Sequence, residues 1–587
     1  MSYLMVNLAE SARAQAQALV EAALPDGLTV RGNVGPSRGK DNGDFSSNHA
    51  LVGAKLAQPA VEDVKPDENT GDKKKSRKAA QELEEKRTRE FAEAICSAIN
   101  LEGSYFSSVE AASKGFINFT LSERYYSELL HAIVESGEDY GRIDIGKGER
   151  VMIEFVSANP TGPMTIGNAR GGVLGDSLAS ILDRAGYDVW REFYINDEGN
   201  QIEKFGYSIE ARYMQIILGE DGFPFPEDGY HGDDIRDLAQ IIYSRDGTIY
   251  CDMDSETRRR AFIEFALPYN IDLMREHLER YRISYDRWFP ESELYKSGAV
   301  ADTIALLENA GLTFERDGAI WLRNTDFGAD KDEVLRRANG HYTYYASDIA
   351  YHRNKFIERG FDRVIDVLGA DHHGHSIRFK ATVSAPALGL ADKRLDFLIM
   401  QMVRLERDGE VVKVSKRTGK ALTLSDLLDE IGIDACRFFF NAKPDSHLKF
   451  DLDLAIRQDS ENPVYYVQYA HARLCSLIAA LAEEGISPKA PSEIDVGLLS
   501  TPYELELMKQ LATLPESIRL AAEEMDPSHI NRFLTELAGS FHRFYTFCRI
   551  KDEATELLNA RLLLCDCTRR VLAIALGLIG VSAPVQM

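Results

Sequence analysis

Residues able to do chemistry concentrate in three polar loops. The first is Glu154–Gly172, E-F-V-S-A-N-P-T-G-P-M-T-I-G-N-A-R-G-G. Its turn residues Asn159-Pro160, Gly162-Pro163 and Gly167 leave backbone N–H groups free to face an anion at a helix start, whose dipole favours one. Phosphate fits that place; an ordinary strand–turn–helix packing element is the alternative. The second loop, Val411–Lys420, reads V-V-K-V-S-K-R-T-G-K after the hairpin-turn signal Arg407-Asp408-Gly409. Its cations suit a triphosphate in a transition state, although such a run standing alone is usually a solvated face. The third is Gly369-Ala370-Asp371-His372-His373-Gly374-His375, at a strand end where ligands gather in parallel sheets. Three histidines at a strand–helix junction, with no matching cysteine or third-element cluster, argue against a metal site.

The elements that must hold these loops follow from hydrophobic periodicity. Val151–Val156 reads as a buried strand. A helix from about Ala169 to Ala185 carries Val173, Leu174, Leu178, Ile181 and Leu182 at helical spacing, with Gly186 where a C-cap belongs. Val189–Ile195 is a strand and Gly199–Ile217 a helix. Residues 218 to about 325 interrupt with acidic loops, a helix near Ser255–Tyr281 and a hairpin at Asp317-Gly318. The sheet resumes with Tyr342–Tyr351 and the strand Arg363–Leu368. Alternating strands and helices predict a parallel α/β sheet with an insertion.

Before this region, residues 1 to about 120 read as a separate small α/β module. It has a helix at Leu8–Ala23, a turn at Asn42–Asn48 leading into helical His49–Leu56, and a strand at Gly115–Leu121 with one exposed face. Asp63–Glu90, with the block Lys73–Lys78, reads as a mobile insertion or solvated helix start. After residue 455 the pattern is nearly pure helix: Asn462–Leu481, Pro502–Met525, Ile530–Arg549 and Ala560–Leu578.

Bulk properties narrow the class. At 587 residues the chain should hold three or four domains with ample core. No apolar run approaches the length of a membrane span, and MSYLMVNLAESARAQ lacks the basic start and apolar core of a secretion signal. The seven cysteines are scattered, so a reducing cytoplasm and no structural metal are expected. A net charge of −25 argues against a generic nucleic-acid binder. Local lysine and arginine patches can still meet phosphate while the acidic remainder weakens nonspecific RNA binding.

Together the loops resemble the paired signature loops of class I aminoacyl-tRNA synthetases. Met164–Arg170 stands where that class has His-x-Gly-His, and Lys413–Lys416 resembles its Lys-Met-Ser-Lys, with Val414 for Met. The strings EFVSANPTGP, YINDEGNQI, IDVLGADHHGH, ENPVYYVQYAHAR and LGLIGVSAPVQM narrow the resemblance to arginyl-tRNA synthetases, nearly end to end.

The resemblance implies an N-terminal tRNA-elbow domain at 1–122, a linker helix at 123–149 and a Rossmann-type catalytic domain at 150–385 with its insertion. A lysine-loop region at 386–455 and an α-helical anticodon-binding domain at 456–587 would follow. The implied partners are tRNA(Arg), L-arginine and ATP with Mg²⁺, in a cytoplasmic monomer with no membrane contact.

Lys416 would be the main transition-state cation, assisted by Lys413, with Thr165 and Asn168 at the phosphates. Pro163, Gly167, Gly369, Asp371, Met402, Val403 and Ser415 would hold ATP. Glu154, Ser157, Asn159, Tyr344, Asp348 and His372 would surround arginine. Tyr344 and Asp348, four apart, share a face if helical, and a carboxylate matches a guanidinium. Phe116, Asn118, Tyr466, Tyr469 and Met587 would touch tRNA. One departure matters: Thr165 and Asn168 stand where the family usually has histidines, and neither carries charge. Two rivals remain open, a paralogue that binds tRNA without catalysis and an adenylyl-transferring relative.

Overall fold

The computed structural model describes residues 7–37, 42–54, 56, 73–412, 422–442 and 447–587. Lys413, Ser415 and Lys416 lie outside the described residues. Near the N-terminus a helix spans Leu8–Ala22, capped by Asn7, and buries Leu8, Ala12, Ala16 and Val20 at four-residue spacing. It packs beside strands β1 (Val34–Pro36), β2 (Phe45–Ser47), β3 (Phe106–Ala111) and β4 (Ile117–Leu121), ordered β1-β2-β4-β3 and antiparallel. The charged segment expected as a loop or helix start is, from Lys73 to Ala98, one continuous helix. The exposed face expected on β4 is narrower than alternation suggests. β4 is an inner strand, and Asn118 is buried along with Ile117 and Phe119.

The main sheet contains β5 (Arg150–Glu154), β6 (Asp188–Ile195) and β7 (Arg287–Pro290). A small antiparallel sheet of β8 (Thr313–Arg316), β9 (Ala319–Leu322) and β10 (Glu333–Arg336) follows. Then β11 (Arg363–Gly369) and β12 (Arg394–Met400) complete a five-stranded parallel sheet, β12-β11-β5-β6-β7. The chain winds outward from β5 through β6 and β7, then returns to the other side of β5 as β11. The strand order therefore reverses between β5 and β11, and a crevice opens beyond their carboxyl ends. Helix Ile166–Arg184 crosses from β5 to β6, and Gly175 lets Phe155 press against it: a Cβ there would sit 2.2 Å from the ring.

The stretch 218–325 is not one excursion, because Arg287–Pro290 returns to the main sheet as β7. Before it, helices Asn200–Leu218, Asp233–Asp246 and Ser255–Arg280 enclose their own core of Phe205, Tyr213, Leu238 and Phe262. The Asp317-Gly318 hairpin is present, both residues at positive φ (53° and 74°), as a two-residue turn between twisted strands requires. Tyr342–Tyr351 does not resume the sheet. Tyr344–Arg353 is a helix burying Tyr345, Ala346, Ile349 and Ala350, and the place beside β5 belongs to β11.

Strands β13 (Val403–Arg407), β14 (Glu410–Val411) and β15 (Leu448–Asp451) form a second small sheet, with Asp408 and Gly409 at the hairpin. The helical region comprises Pro463–Glu483, Pro502–Leu511, Leu514–Glu523, Ser528–Phe547 and Thr555–Leu578. The single helix expected over Pro502–Met525 is two, because Pro515 lacks the N–H that an uninterrupted helix needs and instead starts a new one.

Candidate active site

The floor of the crevice is the end of β5. Glu154, its last residue, is followed by Val156 at φ 70° and Ser157 at φ 41°. A β-branched residue in the left-handed region is strained, and such strain persists where the surroundings enforce it. The turn brings Ser157 Oγ back to donate to Glu154 Oε1 (2.9 Å), while the Tyr194 N–H donates to Ser157 Oγ (3.1 Å). From the other side, Lys355 Nζ donates to Glu154 Oε2 (2.6 Å) and to Asp366 Oδ1 (3.0 Å) on β11.

Lys355 is fully buried. It is aimed inward by a π-helical turn, Asn354–Glu358, which continues helix Tyr344–Arg353 and rotates the chain out of α register. Burial works against its charge, but Asp366 and Glu154 outweigh it and hold the ammonium well above the ordinary lysine range. Burial raises the Glu154 carboxyl above its ordinary value, Lys355 opposes this, and Asp366 adds to it. His352 Nε2 meets Asp366 Oδ2 (3.0 Å), and its Nδ1 meets the Asp348 carbonyl (2.9 Å). One hydrogen-bonded chain thus runs from Glu154 through Lys355, Asp366 and His352 to the residue expected to hold the far end of the substrate.

The wall beside β5 is the start of helix Ile166–Arg184, three residues earlier than periodicity suggests. The reason is a capping box. Asn168 Oδ1 accepts from the Thr165 N–H (2.9 Å) and hydroxyl (2.8 Å), and Thr165 Oγ1 accepts from the Asn168 N–H (3.4 Å). Thr165 therefore spends its hydroxyl proton on the helix rather than on a ligand. Among the described residues no acceptor for Asn168 Nδ2 stands beside these bonds, and Asn168 lines the crevice. A backbone bridge joins Thr165 to Thr423, where a second capping box, Thr423 with Asp426, begins helix Leu424–Ile431. The start of helix Ile166–Arg184 is thus tied to the start of helix Leu424–Ile431.

Around these groups lies a cleft of about 790 Å³. Glu154, Ser157, Asn159, Pro163, Thr165, Gly167, Asn168, Asp348, Gly369, Asp371 and His372 all line it. Tyr344 does not: it is 65% exposed, at the first turn of its helix, and borders an adjoining hollow with Phe314 and Trp321. Met402 is 72% exposed and Val403 enters β13; Met400 lines the wall in their place. Of the expected RNA contacts, Phe116, Tyr469 and Met587 are exposed, and Tyr466 packs on His542 (4.6 Å). Asn118 is only 2% exposed and accepts from Ser46 Oγ (2.8 Å), so its side chain braces β4 against β2.

Several site residues lie outside the sequence reading. Tyr230, His231 and Asp234, from the insertion, form the wall facing Gly162. Glu291, just past β7, is buried within electrostatic reach of Asp348; burial pushes its carboxyl up to about 7, with Ser347 opposing this and Asp348 and Asp197 adding to it. Lys355 and Glu291 carry no motif signal.

Three family models match successive parts of the chain. Arginyl tRNA synthetase N terminal domain covers residues 10–121. tRNA synthetases class I (R), catalytic domain, covers 129–451, and DALR anticodon binding domain covers 467–587. The arginine–tRNA ligase of Acetivibrio thermocellus is 48% identical over 549 residues, 93% of this chain and 92% of that one. The chain belongs to the arginine–tRNA ligase family. Its relative from Caldanaerobacter subterraneus subsp. tengcongensis is 50% identical over 93% of this chain and 92% of that one. Among solved structures, one from Campylobacter jejuni assigned as an arginyl-tRNA synthetase matches with TM-score 0.71 and 33% identity, covering 80% of this chain and all of that one. Thermus thermophilus arginyl-tRNA synthetase shares the fold (TM-score 0.68, 22% identity, 98% of this chain and all of that one).

Proposed function

We propose that the cleft activates arginine with MgATP and passes the arginyl group to tRNA(Arg). An arginine carboxylate oxygen attacks the α-phosphorus of ATP, the bond to the β-phosphate oxygen breaks, and diphosphate leaves. A ribose hydroxyl at the tRNA 3′ end then attacks the adenylate carbonyl and AMP departs. Positioning and cationic stabilisation supply the catalysis, so no protein nucleophile is required. Glu154 takes the α-ammonium, with Ser157 and Asn159 beside it, and Asp348 takes the guanidinium. Asn168 Nδ2 and the first N–H groups of helix Ile166–Arg184 meet the phosphates, whose leaving charge Lys416 and Lys413 offset. Mg²⁺ enters with ATP as substrate.

The observation that carries this reading is the convergence of two acids with a helix N-terminus on one cleft at the sheet's switch point. The helical domain, with Tyr469 and Phe547 exposed, is the surface we assign to anticodon bases, which stack on aromatic rings. The working form is a cytoplasmic monomer. The test is a charging assay with labelled arginine, MgATP and tRNA(Arg), following arginyl-tRNA and AMP together. Equal amounts of both support the reading. Tight tRNA binding with no AMP would favour a non-catalytic paralogue, and AMP transfer to another acceptor an adenylyl-transferring relative.

A further inference from the structure

Asp348 is not free in the structure: its Oδ2 lies 3.1 Å from His375 Nε2. The two residues come from different elements. Asp348 sits on helix Tyr344–Arg353, and His375 on helix His373–Val383, which follows the loop at the end of β11. The His375 side chain is 17% exposed and is held by rings. It stacks on Phe379, one turn along its own helix (5.5 Å, 22°), and meets the edge of Tyr345 (5.6 Å, 80°). Tyr344 lies at 6.0 Å and His372 at 6.3 Å. An imidazole packed this way has little freedom to turn, so the place of its Nε2 beside Asp348 is set by the fold. Asp348 lacks such packing; its side chain is 30% exposed, and only His375 limits its rotation among the ion pairs of the described residues.

We propose that His375 is a positioning residue for arginine recognition. Its Nε2 lies against Asp348 Oδ2 (3.1 Å) and restrains the carboxylate, and Asp348 Oδ1 is thereby presented to the guanidinium. A carboxylate oxygen accepts more than one hydrogen bond, so Oδ2 keeps a lone pair for the substrate and bidentate pairing survives. The inference rests on the reading of Asp348 as the guanidinium carboxylate. It places His375 on the amino-acid side of the cleft. The gain is pre-organisation: a carboxylate already oriented loses no rotational freedom when arginine arrives, worth a factor of a few to about ten in affinity.

The test compares His375→Phe, which keeps the stack on Phe379 and removes the donor, with His375→Gln, which keeps an N–H donor. Arginine-dependent ATP–diphosphate exchange is measured with tRNA present, giving KM for arginine, KM for MgATP and kcat separately, beside wild type and Asp348→Ala. His375→Phe should raise KM for arginine about 10-fold, with kcat and KM for MgATP within about 2-fold; His375→Gln should recover most of the loss. An unchanged arginine KM in His375→Phe overturns the inference. So does a glutamine variant as impaired as phenylalanine, which would make the ring's packing the cause, or a rise confined to KM for MgATP. An inactive wild type, or an unaffected Asp348→Ala, would instead overturn the function reading beneath it.

Discussion

The acids of the site divide by environment. Asp348 meets the cleft directly, whereas Glu291 is buried, does not line it and keeps its proton up to about pH 7. Between its ordinary 4.5 and about 7 the folded chain holds a proton that the unfolded chain has released, so this group subtracts stability as pH rises through that window. For a guanidinium ligand the sign is opposite: ionised Glu291 adds a second negative charge. Calorimetric titration with arginine should therefore show affinity rising from about pH 6 to about pH 8, and flattening in Glu291→Gln. Asn168 caps its helix and, in the proposed reading, also donates to phosphate. Asn168→Ala removes both, with a loss of about 1 kcal/mol in stability and a 10- to 100-fold slower single-turnover adenylation. Asn168→Asp keeps the cap acceptor and opposes phosphate, so it should melt like wild type yet adenylate more slowly than the alanine variant. The loop was legible as a turn leading into a helix start because its turn residues are local. The cap was not, since Asn at the third helical position lacks the Glu or Gln that signals a capping box.

Element boundaries fail where tertiary pairing overrides local pattern. Tyr342–Tyr351 is apolar enough to read as a strand, but Arg363–Gly369 pairs with both β5 and β12 and leaves no room for it. The π-turn at Asn354–Glu358 has no sequence signature at all, and nothing in N-K-F-I-E marks Lys355 as a buried cation. It is instead the cation that lets Glu154 and Asp366 share the sheet floor. Lys355→Met would leave two carboxylates without their partner, and breaking a buried pair costs about 3–5 kcal/mol. Chemical denaturation should show that loss. In the folded fraction the KM for arginine should rise more than the KM for MgATP, because Glu154 loses its orientation. A variant that melts like wild type would remove Lys355 from the floor's support. The tie between Thr165 and Thr423 likewise joins loops 258 positions apart by number, a pairing no local pattern encodes.

At the scale of the molecule, the three-part organisation was legible from changes in periodicity, while the seams between parts were not. Buried Arg437 donates to the Ile579 carbonyl (2.8 Å) and the Tyr281 carbonyl (3.0 Å), and also pairs with Asp176. It thereby links the last helix, the insertion and the catalytic helix through one guanidinium. A net charge of −25 leaves RNA binding to local cation patches. The logarithm of the affinity for tRNA(Arg) should therefore fall linearly with the logarithm of salt concentration, with a slope near −0.7 to −0.9 per phosphate neutralised. A flat salt response in a filter-binding titration would contradict phosphate contacts. The most direct measurement of the account is ATP–diphosphate exchange with tRNA(Arg) present, comparing arginine with citrulline in wild type and Asp348→Ala. The account predicts exchange with arginine, almost none with citrulline, and a loss in Asp348→Ala equivalent to about 3–5 kcal/mol. Equal exchange with both amino acids, or an Asp348→Ala enzyme as active as wild type, would contradict it.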